Sequence, residues 1–154
     1  MTTIRRMQPK DAPTVTEMMR VFYASPAVHT DGSAEIFAAD IAACVGDNPY
    51  AEGYVMEMDG AIAGYVMVAK SFSTEFGKPC IWIEDIYFEE AYRGQGLGQQ
   101  FLDYVTAQYG DCIFRLEVEG ENTRAVRLYE RMGYQNRGQV SMYGHDFHCF
   151  ERIL

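Results

Sequence analysis

The chain has 154 residues, 22 acidic against 13 basic, and a net charge of −9. That length suits one domain, able to bury about two-thirds of the surface its unfolded form exposes. The acidic balance disfavours nucleic acid and anionic membranes as partners; apolar runs fall short of the ~18 residues of a membrane span, and the start Met1-Thr2-Thr3-Ile4-Arg5-Arg6 lacks the apolar core of a signal peptide.

Thr3 to Met7 reads as a first strand, and Asp11 as the cap of a helix with Pro13 in its first turn and Val15, Met18, Met19 and Phe22 on one face. Ser25-Pro26 ends that helix. A polar loop holding His29, Asp31 and Gly32 runs to Ser33, and a second helix follows with Ile36, Phe37, Ile41 and Cys44 or Val45 inward. Tyr54 to Met58 and Ala61 to Ala69 form a hairpin about Asp59-Gly60, a pair suited to the type I′ turn, which needs positive φ at both centres. Lys70 to Pro79 reads as a loop.

Ile81-Trp82-Ile83-Glu84-Asp85-Ile86-Tyr87-Phe88 is a strand of β-branched and aromatic residues around one acidic pair. Alternation sets Trp82, Glu84 and Ile86 on one face and Ile83, Asp85 and Tyr87 on the other. A helix carrying Leu97, Phe101, Leu102 and Val105 follows. Cys112 to Val118 alternates apolar with charged residues; strand, helix and strand without a hairpin imply a parallel right-handed crossover. Asn122 caps a further helix reaching Met132, with Gly133 just beyond it. Gln139 to Tyr143 and Phe147 to Leu154 make a closing antiparallel pair. With no repeat or linker, residues 1–154 form a single α/β domain.

The cysteines, Cys44, Cys80, Cys112 and Cys149, are irregularly spaced with no C-x-x-C, and His29, His145 and His148 form no metal pattern. Buried free thiols in a reducing cytoplasm, and no metal, are the expectation.

The loop Arg93-Gly94-Gln95-Gly96-Leu97-Gly98 joins the acidic strand to its helix. Glycines at a helix start bring unpaired N–H groups and the helix dipole close to an anion, which fits phosphate. The glycine spacing matches neither G-x-G-x-x-G nor G-x-x-x-x-G-K-[ST]. Arg93-x-x-Gly96-x-Gly98 resembles the pyrophosphate loop [RQ]-x-x-G-x-[GA] of the GCN5-related N-acetyltransferases. Asn122-x-x-Ala125-x-x-x-Tyr129-x-x-x-Gly133-Tyr134 resembles the same family's second signature. Ile83 to Tyr87 before Tyr92-Arg93-Gly94 is most similar to the diamine (spermidine/spermine) branch.

The resemblance implies a mixed, mostly antiparallel sheet flanked by helices, whose two parallel central strands splay to admit the pantetheine arm of acetyl-CoA. It implies coenzyme contacts from the backbone of Ile86, Tyr87 and Phe88, from Arg93, Gly94, Gln95, Gly96, Leu97, Gly98 and Gln99, and from Asn122, Thr123, Arg124 and Ala125.

Acetyl transfer to an amine requires a held donor, removal of a proton from an ammonium of pKa about 10, a stabilised oxyanion and a protonated thiolate. The resemblance makes Tyr129 the general acid. Glu84 is the favoured base, through water, with Asp85 as alternative; the competing structural role is an ion pair of either acid with Arg115 on the next strand. With no Ser/His/Asp or Cys/His set, direct transfer in a ternary complex is expected over an acyl-enzyme. The acceptor would be a small amine or polyamine, surrounded by loops 23–33, 71–78 and 144–146 and met by Tyr23, Asp31, Glu35, Trp82 and Asp85. A peptide acceptor, or a binding module without catalysis, is the alternative. A homodimer is left open.

Overall fold

The computed structural model describes residues 1–28, 32–142 and 144–153. Among them are seven strands, β1 (Thr2–Arg6), β2 (Ala51–Met58), β3 (Ala61–Ser73), β4 (Lys78–Phe88), β5 (Ile113–Glu119), β6 (Gln135–Met142) and β7 (His145–Ile153), and four helices, α1 (Ala12–Tyr23), α2 (Ala34–Val45), α3 (Leu97–Tyr109) and α4 (Thr123–Arg131). The strands form one sheet in the order β1-β2-β3-β4-β5-β7-β6. All pairings are antiparallel except β4 with β5.

One face of the sheet packs on α1 and α2 through Val15, Met18, Met19, Phe37, Ile41 and Cys44 against Val55, Tyr65, Met67 and Tyr87. The other packs on α3 and α4: Leu97, Phe101, Leu102, Val105 and Tyr129 meet Val66, Val68, Ile81, Ile83, Leu116 and Phe150. Each large apolar side chain so buried contributes about 1.5–3 kcal/mol.

The hairpin turn is as the sequence predicts, with Asp59 at φ 52° and Gly60 at 86°. Three elements differ. Asp11 does not cap α1; Gln8 opens a 3₁₀ turn ahead of the helix, and the buried Asp11 carboxylate accepts from the Gln8 N–H and pairs with Arg5 at 2.8 Å. Ile36 is 48% exposed, because Phe37, Ile41 and Cys44 define the inward face of α2. The expected loop at 70–79 is mostly strand: pairing continues to Ser73 opposite Lys78, leaving only residues 74–77 as a turn. β6 likewise starts at Gln135, and a register shift between Asn136 and Gly138 hides its alternation. Cys44, Cys80 and Cys112 are buried free thiols, and Cys149 is partly buried. No helix is long and apolar enough to cross a membrane, and no metal-ligand cluster occurs among the described residues.

Candidate active site

β4 and β5 pair only from Cys80 opposite Ile113 to Trp82 opposite Arg115. β4 runs on to Phe88 and β5 to Glu119, so beyond Trp82 the two parallel strands part. The edge of β4 that faces the gap has no neighbouring strand. Which groups it presents follows from the other edge. Glu89 N donates to Ala63 O on β3, and the Tyr87 carbonyl lies 2.3 Å from where a Cβ on Gly64 would stand. Tyr87 therefore turns its backbone to β3, and alternation turns the groups of Ile86 and Phe88 to the gap. Of the three residues expected to offer backbone there, Tyr87 does not. The Phe88 carbonyl is also engaged, accepting from Arg93 Nε at 2.9 Å.

Register slips once in β4. Met67 opposes Asp85 and Val68 opposes Ile83, so Glu84 has no partner on β3. Such a bulge reverses the phase of the side chains. Ile81 and Ile83 pack toward α3 and α4, whereas Asp85 and Tyr87 lie toward α1 and α2. The expected grouping of Ile83, Asp85 and Tyr87 on one face is thereby overturned.

Asp85 is 6% exposed. Its carboxylate accepts from the Tyr23 hydroxyl at 3.0 and 3.2 Å and from the Tyr65 hydroxyl at 3.0 Å. Burial pushes its pKa up to about 6, and the two phenols only partly offset that. Glu84 makes no hydrogen bond or ion pair among the described residues. Solvent reaches it, yet lost hydration and the like charge of Glu117 raise its pKa. Arg115 pairs with neither acid. It binds Glu151 at 2.8 Å and lies 5.9 Å over the Trp82 ring, which gives that ring a cation already. Tyr23 is taken by Asp85 in the same way. Glu35 is exposed in the first turn of α2, with no hydrogen bond or ion pair among the described residues. Asp31 lies outside the described residues. Glu117 went unnoticed in the sequence; its signal was the placement of Arg115, Glu117 and Glu119 on one face of the strand beside β4.

At the far end of the gap, the N–H groups of residues 94–99 have no acceptor among the described residues, because they sit in the loop and in the unbonded first turn of α3. Gly94 and Gly96 hold φ of +79° and +75°, conformations that glycine adopts without strain. The second motif lies against the first. Arg124 Nη2 would be 3.0 Å from a Cβ on Gly94, and Leu128 Cδ2 would be 3.2 Å from one on Gly98. Asn122 caps α4 by accepting from Ala125 N at 3.3 Å. Arg93 is turned away, 5.5 Å over the Tyr87 ring, so Arg124 is the cation beside the loop.

Tyr129 packs its ring on Phe150 and Tyr134 at 6.2 and 5.7 Å. Burial pushes its pKa up to about 12. Its hydroxyl makes no hydrogen bond among the described residues, yet it is not among the sealed unsatisfied atoms, where only the Tyr134 hydroxyl falls. The Tyr129 oxygen therefore has an opening to solvent.

Known proteins share this fold and parts of this sequence. Thialysine N-epsilon-acetyltransferase of Bos taurus is 35% identical over 92 residues, covering 58% of this chain and 51% of that protein. Spermine/spermidine N(1)-acetyltransferase of Bacillus subtilis is 25% identical over 92 residues, covering 56% and 60%. The chain thus spans about half the length of the curated relatives it matches. The fold recurs in Arabidopsis thaliana NAA60 in complex with acetyl-CoA, with a TM-score of 0.78 at 17% identity, covering 100% of this chain and 99% of that one. These relatives spread over several acceptors and do not single out the diamine branch. The profile described as the acetyltransferase (GNAT) family matches residues 14–134, and the chain belongs to that family.

Proposed function

We propose that the protein is an acetyl-CoA-dependent N-acetyltransferase that passes the acetyl group directly to a primary amine. The observation that carries this reading is the parting of β4 and β5 after Trp82 and Arg115. Glu84 stands near Glu117 beside that gap and Tyr129 packs on the α3 and α4 side of the sheet, so the gap would let one molecule meet both. The free N–H row of residues 94–99 and Arg124 suit the coenzyme's pyrophosphate at one end. The open groups of Ile86 and the Phe88 N–H suit an amide-bearing arm, as a peptide adds to a sheet edge. Asn122, Thr123 and Ala125 would flank it from α4.

Glu84, unpartnered and with a raised pKa, is suited to take the ammonium proton directly or through water. Tyr129 is suited to return a proton to the leaving sulfur, its hydroxyl having no hydrogen-bond partner among the described residues. These free functional groups favour an enzyme over a binding module. Asp85 is less suited to be the base, since both its oxygens are occupied by phenols.

The acceptor is a primary amine, drawn by Glu84, Glu117 and the net charge of −9. Curated relatives named for thialysine and spermine point to a small amine. A peptide N-terminus is the second reading, favoured by a 33% identity over 70 residues to N-alpha-acetyltransferase 40 of Saccharomyces cerevisiae. Thiol release from acetyl-CoA, measured with polyamines, amino acids and peptides, tests both. Binding of coenzyme A with no thiol release from any amine would leave a binding module instead.

A further inference from the structure

The bulge leaves Glu84 weakly held. It has no residue opposite it on β3 and lies past the last β4–β5 pair, so no cross-strand neighbour fixes its place. The residue beside it is tied instead through its side chain. Asp85 meets a hydroxyl from Tyr65 on β3, 20 residues away, and one from Tyr23, 62 residues away at the last position of α1. The chemistry suits a carboxylate: it only accepts, so two phenols can donate to it with no donor conflict, whereas an amide would offer one acceptor oxygen. The aromatic rings keep the phenols in place. Tyr23 lies 5.2 Å from Phe37 and 5.6 Å from Phe22, and Tyr65 lies 6.0 Å from Tyr87. The neighbours whose charge acts most on Asp85 are Asp40 of α2 and Glu84, both acidic, and the Cys44 thiol stands nearby. Charge neutralisation therefore does not explain its position.

We propose that Asp85 is a positioning residue, a buried tether that couples the C-terminal end of α1 to the strand bulge and so sets where Glu84 stands. The inference rests on the reading of Glu84 as the base. Moving the end of α1 then moves the base, and the acceptor side of the enzyme and its proton acceptor act as one unit.

The test uses Tyr23→Phe and Tyr65→Phe in the full chain, with Tyr54→Phe as a control that removes a phenol bonded to Glu52, away from the gap. Amide hydrogen exchange is followed in the absence of ligands, and kcat and KM are measured with the best amine of the panel. Tyr23→Phe should speed exchange at the last turn of α1 and at residues 84–86 together. It should lower kcat about fivefold or more with acceptor KM changed less, while coenzyme A affinity stays as in the parent. Tyr65→Phe should speed exchange at residues 84–86, and Tyr54→Phe should leave both segments unchanged. Faster exchange at α1 alone, or an unchanged kcat in both variants, would overturn the tether. A Glu84→Gln enzyme with undiminished kcat would overturn the base and leave the tether standing, so the two failures are separable.

Discussion

The two edges of β4 make a useful contrast. Toward β3 it is paired from Lys78 to Phe88, broken only by the bulge; toward β5 it is paired over three residues and then open. The same strand is thus anchored on one side and available on the other. The paired edge carries stability, because its backbone groups are satisfied and Val66, Val68, Ile83 and Ile86 pack across it. The open edge is the one that the proposed chemistry would use, since it keeps unpaired backbone beside an acid that has no side-chain partner among the described residues. The bulge gives each of two adjacent carboxylates one of these roles: Glu84 stays free and Asp85 is bound.

The largest effect should come from the free acid. Glu84→Gln should lower kcat at neutral pH about 10²-fold or more, with partial recovery at high pH where free amine is abundant. In the parent, activity should fall as pH drops through the raised Glu84 pKa, and this limb should vanish in the variant. If Asp85→Asn abolishes turnover while Glu84→Gln keeps it, the roles are reversed.

Tyr129→Phe comes next, with a loss of roughly tens-fold in kcat and little change in acetyl-CoA affinity. The effect is set lower because a phenol pushed up to about 12 is a weak acid. Wild-type turnover with chemistry rate-limiting would remove the residue from the reaction.

Gly96→Val should weaken coenzyme A binding by about tenfold, or ~1.4 kcal/mol, by calorimetry. No atom lies within 4 Å of the added Cβ, so the cost falls on the φ of +75° and on the space a phosphate needs. Unchanged affinity in a folded variant would take the loop out of the site.

The remaining effect is on stability and leaves the chemistry aside. A carboxyl raised from 3.8 to about 6 by folding favours the native state below pH ~4, and this contribution is lost as pH rises to about 6. Ionised Asp85 therefore costs at most about 3 kcal/mol at neutral pH. Asp85→Asn should raise Tm at pH 8 by about 3–6 °C and flatten its dependence between pH 4 and 7. A lower Tm at pH 8 would mean that the two phenol bonds outweigh the cost of burial.

Much of this arrangement was legible in the sequence, because it rests on local rules. Glycines at 94, 96 and 133 sit at positive φ, Asn122 caps its helix, and Asp59-Gly60 makes its turn. The parting of the strands came with the family signature. The bulge was not legible: Ile83 and Asp85 alternate perfectly in sequence, and only pairing with β3 reveals the extra residue. Nor could sequence distance reveal that Arg115 would choose Glu151, or that Asp85 would be met from residues 23 and 65. Those partners are set by tertiary packing.

Gly64 acts on the gap from behind. With a side chain there, Cβ would stand 2.3 Å from the Tyr87 carbonyl and 2.7 Å from the Phe88 ring. One way to relieve that clash is for β4 to shift away from β3, across the space it leaves open. The close approach of β4 to β3 at this point thus depends on an atom that is missing on the side of the strand away from the gap. A methyl group at position 64 would act as a wedge, narrowing the entrance while leaving every residue that lines it unchanged.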